Sequence, residues 1–143
     1  MPPARQDPFA GYNFRVELDG IPVAGFTECA GLSSETEVIN YREGGDLQVR
    51  RIPGVTTYSP ITLTRGIAGD RSLWEWRKRV VDGQIDRRNG SIILIDADGK
   101  DVARWNFENG WPSRWKGPAL NGQSNEVAIE TLEIVHEGFD WVA

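Results

Sequence analysis

The chain has 143 residues, with 21 acidic against 16 basic side chains and a formal charge of −5, a balance that argues against binding a nucleic-acid backbone, since such affinity comes from clustered Lys and Arg. One cysteine, Cys29, excludes an intrachain disulfide and a Cys-based metal cluster, and one histidine, His136, excludes a multi-His metal site. The length is that of a single domain, residues 1–143, able to bury roughly 68–70% of the surface its unfolded chain exposes.

In chain order, residues 1–11 read as an N-terminal arm ahead of a core spanning about 12–139. Residues 1–8 hold no apolar run of the signal-peptide kind and no later segment approaches a membrane span, so the expectation is a chain made in the cytoplasm that inserts in no membrane. Phe14, Val16 and Leu18 alternate with Arg15 and Glu17, and Asp19-Gly20 follows, a dipeptide suited to a type I′ hairpin because both central residues take positive φ. Ile21 to Phe26 is the return strand, which Pro22 and Gly25 place at an edge or on a bulge. After a connector from Ala30 to Ser34, Thr36 to Arg42 forms another strand. Residues 43–58 read as an extended loop, opened by Glu43-Gly44-Gly45-Asp46 and closed by Pro53-Gly54. Leu47, Val49 and Ile52 alternate inside it around the adjacent Arg50 and Arg51. A loop of that length with apolar residues of its own more often binds something than merely connects strands.

Ile61 and Leu63 then alternate with Thr62 and Thr64 until Gly66 and Gly69 interrupt the pattern, and the hydrophobic period changes from two to nearly four. Asp70 or Ser72 is placed to cap a helix, Ser72 and Glu75 have capping-box spacing, and Gly83 stands where a helix stops. Leu73, Trp74, Trp76, Val80 and Val81 share one arc of that helix. Arg77 projects into the middle of this arc, so its stem must cover a ring or its head must find a partner. Arg77, Lys78, Arg79, Arg87 and Arg88 read as a solvated helix face plus a turn. Arg87-Arg88-Asn89-Gly90 is the turn, and Ile92 to Ile95 is an unbroken apolar run that fits a strand buried on both faces. Asp98-Gly99 makes a second hairpin into Val102 to Glu108, Gly110 to Pro118 is too rich in Gly and Pro for a strand, and Asn125 to Glu137 alternates as one long strand. The sum is a mainly β, α+β domain of about seven or eight antiparallel strands and one helix.

Chemistry finds little to stand on. A Cys29 and His136 dyad rests only on both residues being present. Asp96-Ala97-Asp98-Gly99 opens like a calcium loop but lacks a glutamate at the required distance, and Glu130 and Glu133 lie on opposite faces of their strand. No enzymatic activity, cofactor or metal is expected. Six tryptophans are an excess for this length. Trp74, Trp76 and Trp105 are read as core, whereas Trp111, Trp115 and Trp141 suit either the stacking platform of a carbohydrate-binding module or an oligomer interface.

Taken as a series, Tyr41-Arg42-Glu43-Gly44-Gly45, Pro53-Gly54-Val55, Ile61-Thr62-Leu63-Thr64-Arg65-Gly66, Leu73-Trp74-Glu75-Trp76, Arg88-Asn89-Gly90-Ser91-Ile92, Trp105-Asn106-Phe107, Trp111-Pro112 and Glu130 to Gly138 resemble the tail tube proteins of contractile-tailed phages and the inner tube proteins of phage-tail-like injection particles. The resemblance runs from about Phe14 to Phe139. It implies a small β-barrel-like domain of two packed antiparallel sheets with one flanking helix, six copies of which close into a ring. Stacked rings would form the inner tube of a virion or extracellular contractile particle. The partners it implies are a sheath protein, baseplate and spike, tube-terminating proteins, and DNA or effector protein in the lumen. A type VI secretion tube protein has the same architecture and is the alternative.

On that reading Tyr41, Glu43, Gly44, Gly45, Leu47, Val49, Arg50, Arg51, Ile52, Pro53 and Gly54 meet a neighbouring subunit. Thr131 and Glu133 mark the wetter, lumen-facing parity of the long C-terminal strand, with Ala128, Leu132 and Ile134 toward the core. Glu130 shares the core parity. Burial against Arg65 or Arg77 would resolve the conflict, and an ion pair of Glu130 with Arg77 is the expected solution.

Overall fold

The computed structural model describes residues 8, 10, 11, 13–19, 21–45, 47–123 and 125–143, so most of the N-terminal arm, Gly20 of the first hairpin and Asp46 lie outside the described residues. The strand β1, Phe14–Leu18, pairs antiparallel with β2, Ile21–Val23. Leu18 faces Ile21 across the connection, and Asp19 takes φ +53, as the hairpin dipeptide requires. Ile21 to Phe26 is not one strand: Gly25, at φ +89, turns the chain, and β3, Phe26–Ala30, pairs elsewhere. Next come β4, Ser34–Tyr41, β5, Arg50–Tyr58, and β6, Ile61–Gly66. The helix α1, Ser72–Val81, is followed by β7, Arg88–Ile95, β8, Asp101–Lys116, β9, Ile129–Val135, and β10, Phe139–Trp141.

Among the described residues the strands form two antiparallel sheets and no closed barrel. One runs β2-β1-β7-β8-β9-β6-β3 with β10 also on β8, leaving β2 and β3 as its edges, and the other is the pair β4-β5. The first half of β8 pairs with β7 and β10 and the second half with β9, so one 16-residue strand belongs to both halves of the larger sheet. These halves fold onto each other around a core of Val16, Leu18, Ile92 and Phe107 from one side and Ile61, Leu63, Leu132 and Ile134 from the other. Leu73 and Trp76 of α1 close it.

The long strand read over Asn125 to Glu137 is confined to β9, Ile129–Val135, and three further segments depart from the sequence reading. Gly110 to Pro118 is not irregular: β8 continues to Lys116. Asn109, at φ +54, marks the point where β8 changes partner, and a Cβ on Gly110 would stand 2.8 Å from Phe107 Cε2 and 2.9 Å from Ile134 Cγ2, so the glycine is there for packing. Pro112 sits beside a bulge, where its missing N–H is tolerated. Of the turn assigned to Arg87-Arg88-Asn89-Gly90, the last three residues instead begin β7, and Gly90 lies under the ring of Phe107. Pro53-Gly54 closes nothing: both residues lie inside β5, with Pro53 opposite Val38 next to a bulge in a two-stranded sheet that leaves each strand a free edge.

The C-terminal end of the helix follows the expected chemistry and the N-terminal end does not: Arg71 holds the cap position without a side-chain cap bond, and the Ser72–Glu75 capping box does not form. Ser72 is the first helical residue, not the cap; its N–H donates to Asp70 Oδ1 at 2.9 Å. At the other end Gly83, at φ +85, donates to Val80 O and Gln84 to Arg79 O, the paired bonds of a Schellman stop. Trp76 is buried and donates from Nε1 to Asp86 O, while Trp74 leaves the core and stays half exposed.

A Cβ on Gly90 would lie 2.3 Å from Phe107 Cζ, within a core that cannot yield easily. Gly90→Ala is expected to cost about 1–3 kcal/mol in guanidinium unfolding.

Candidate assembly surfaces

Every residue of β4 is exposed, and so is every residue of β5 except Gly54, which is half covered by Ile39. The hairpin therefore stands outside the core with Val38, Ile39, Tyr41, Leu47, Val49, Ile52 and Val55 in solvent, Leu47 to 93%. An apolar set of this extent, placed together, marks a contact surface. All eleven residues assigned to a subunit contact fall on this hairpin: Tyr41 to Val49 about its tip, Arg50 to Gly54 along β5. The sequence reading missed that Val38, Ile39 and Val55 share its exposed faces. The β-branched run Val55-Thr56-Thr57 was the available signal for β5.

At its base the hairpin is pinned to the core. Ser33 and Ser59 hydroxyls lie 2.7 Å apart, and Tyr58 packs edge-on against Phe139 at 5.4 Å. Gly138 N–H donates to His136 Nδ1, which leaves Nε2 to donate to Ser59 O at 3.0 Å. The only histidine thus has both ring nitrogens engaged, and burial pushes the Cys29 thiol up to about 11. Neither condition suits a nucleophile and its base.

The second surface is the outer face of β3, β6, β9 and the second half of β8. Register sets Thr62, Glu133 and Arg114 in one row and Thr64, Thr131 and Lys116 in the next. Leu132 and Ile134 are fully buried on the other side, so the assignment of Thr131 and Glu133 to the wetter parity agrees with the structure. Glu130 is buried as well, but its partner is not Arg77. Arg65 Nε donates to Glu130 Oε1 at 2.6 Å, whereas Arg77 Nη1 donates to Pro112 O at 3.1 Å. The reason is register: Arg65 stands directly opposite Glu130 across β6 and β9. Trp115 Nε1 donates to the other oxygen, Glu130 Oε2, at 3.0 Å, and Arg65 reaches Asp70 with its two remaining nitrogens at 3.1 and 3.2 Å.

Lys78 pairs with Asp82, and Arg79 and Arg88 both reach Asp86, holding its carboxyl below the usual range. Lys78, Arg79 and Arg88 are thus interleaved with acids. In the Asp96 turn, Oδ1 accepts the N–H groups of Asp98 and Lys100, as in a hairpin, not a calcium loop.

The third surface is a cleft of about 350 Å³ lined by Ile67, Ala68, Asp70, Arg71, Trp74, Trp115 and Glu130. Trp74 and Trp115 meet edge to face at 4.9 Å. Trp111 stands opposite Val135 and Trp115 opposite Leu132, with a bulge between, so the two rings lie on different faces and make no common stacking platform.

A β-domain that leaves an apolar hairpin outside its own core defines a class, the subunit of a larger assembly. A family model described as T4-like virus tail tube protein gp19 matches residues 10–140, and the chain belongs to that family of structural tube proteins. Among solved structures, that of the anti-feeding prophage cap, the AFP tube-terminating cap, is 26% identical over 99% of this chain and 95% of that one, with a TM-score of 0.91. The sheath-tube complex of the extracellular contractile injection system PVC in its extended state is 24% identical over 95% and 92%, with a TM-score of 0.87. A type six secretion system protein shares the fold at 16% identity over 92% and 83%, with a TM-score of 0.60. No curated protein sequence matches the chain.

Two outcomes test the buried network in unassembled subunits. Arg65→Met is expected to cost about 3–5 kcal/mol, because it strands Glu130. Its loss and that of Glu130→Gln should fall short of additivity by more than about 1 kcal/mol, while Arg77→Met and Glu130→Gln add within about 0.5 kcal/mol. The Ser72 amide, and after it Arg65, holds the Asp70 carboxyl below its ordinary value. The stability this supplies is complete above the unfolded carboxylate value of about 3.9 and is lost as pH falls from there through the lower folded value. Asp70→Asn should flatten that acid limb in thermal unfolding measured from pH 5 downward.

Proposed function

We propose that six copies of this chain close into a ring and that rings stack head to tail into the inner tube of a contractile particle, phage tail or extracellular injection system. A sheath protein surrounds the tube, a baseplate with its spike stands at one end, and a terminating protein caps the other. The role is structural, without catalysis. The observation that carries this reading is the β4-β5 hairpin, whose apolar side chains have no core of their own to enter and so call for a neighbouring subunit. The outer face of β6, β8 and β9 supports a lumen wall: Thr62 and Thr131 share it with Glu133, Arg114 and Lys116, over a buried Thr64, a water-tolerant surface past which DNA or an effector protein can move. None of the described helices is long and apolar enough to cross a membrane.

The second reading is the tube of a type VI secretion system, favoured by the shared fold. Neighbouring genes for sheath, baseplate and spike components of one system or the other decide between them. Electron microscopy of the purified protein is expected to show rings or hollow rods, and a strictly monomeric chain at high concentration with its partners present would sink the tube reading. Replacing Leu47 and Ile52 together by Ser should abolish polymerisation and leave the circular dichroism of the monomer unchanged. Unfolding of that variant would place the hairpin in the monomer's own core.

A further inference from the structure

We infer that Asn121-Gly122 is a site of spontaneous covalent modification, at which Asn121 loses its side-chain amide and becomes aspartate or isoaspartate. An asparagine followed by glycine is open to this change because the next backbone nitrogen reaches the side-chain carbonyl with no Cβ in its way. The sequence holds three such steps, Asn89-Gly90, Asn109-Gly110 and Asn121-Gly122. The fold guards two of them and leaves the third open.

Asn89 and Asn109 guard each other. Asn89 Oδ1 accepts the Asn109 N–H at 3.0 Å, and Asn109 Nδ2 donates to Glu137 Oε2 at 2.6 Å, so neither side chain is free to swing over its own C-terminal peptide. The nitrogens that would attack belong to Gly90 and Gly110, both buried and both paired in the sheet, Gly90 between Leu18 and Phe107 and Gly110 opposite Arg88. Asn121 lies in the connection between β8 and β9, outside any strand, and Asn121, Gly122 and Gln123 are all exposed. Its Oδ1 accepts the Gln123 N–H at 3.0 Å. That bond folds the side chain back over the Gly122 peptide, the direction ring closure needs, and it stabilises the negative charge that develops on the oxygen during attack.

The Gly122 nitrogen gives its proton to solvent base and bonds to Asn121 Cγ, closing a five-membered succinimide. The Cγ–Nδ2 bond breaks, and Nδ2 takes up a proton and leaves as ammonia. Water then opens the ring at one carbonyl to give aspartate, or at the other to give isoaspartate, whose main chain is one carbon longer. Water is the only co-reactant. Each conversion adds one negative charge to a chain of formal charge −5, beside the exposed Leu120. The inference concerns the single chain and holds whether or not tubes form.

Peptide mapping by mass spectrometry tests it on unassembled subunits kept at mildly alkaline pH, native in one arm and in guanidinium in the other. In the native arm only the Asn121 peptide is expected to take on the mass of an acid in place of an amide and to split into two isomers. In guanidinium all three peptides convert. Gly122→Val crowds the attacking nitrogen and should slow the native conversion many-fold. A Cβ at residue 122 meets nothing within 4 Å, so this variant is expected to keep its circular dichroism. A native Asn121 peptide that keeps its mass while the denatured one converts would overturn the assignment. So would native Asn89 or Asn109 peptides that convert as fast, or a folded Gly122→Val chain that converts at the wild-type rate.

Discussion

A guanidinium and a carboxylate, each about nineteen-twentieths buried, meet on the inner face of the sheet. Taking two such ions out of water costs several kcal/mol each, and their attraction offsets that only when the remaining lone pairs and N–H groups are also satisfied. Here they are. Glu130 gives one oxygen to Arg65 and one to Trp115, and Arg65 spends its other nitrogens on Asp70. Asp70 in turn accepts the Ser72 amide at the start of α1. One buried pair therefore ties β6 to β9, both to the end of β8, and all three to the helix. Loss of either ion would loosen the helix and the cleft together.

How much of this was legible in the sequence depended on whether the deciding neighbour was local. Alternation in β1, β6 and β9 and the change of period at α1 are properties of a few consecutive residues, and the structure keeps them. The parity of β9 was readable from Thr131 and Glu133 in the same way. The partner of Glu130 was not, because Arg77 and Arg65 are both remote in sequence and only strand register makes Arg65 the neighbour. Yet Arg65 shares its parity with Ile61 and Leu63, which would have placed it inward. The β8 extension failed for the opposite reason: Gly110 and Pro112 are breakers by local rule, and their tolerance comes from Phe107, Ile134 and a bulge that no local rule sees.

Residues 43–58 were read as one extended loop, whereas β5 takes up the stretch from Arg50 to Tyr58. Its Gly and Pro signals did not bound it; Pro53 and Gly54 sit within a nine-residue strand. What survives is the chemical oddity that drew notice first, apolar side chains in a segment with nothing behind them. The core and the hairpin divide the work: the core is closed by α1 and by the folding over of the sheet at β8, and the hairpin is left with surface to spare.

That surplus bears on when a tube can begin. A two-stranded ribbon is marginally stable by itself in water, so an unassembled subunit holds its hairpin loosely and must order it on docking. The first subunits to meet bear that ordering entropy with few contacts in return, whereas a subunit arriving at a formed end finds its neighbours already in place. On the assembly proposed above, spontaneous initiation is slow and growth from a template is fast. The hairpin then acts as a nucleation barrier, keeping free subunits apart until a foundation is present to start them.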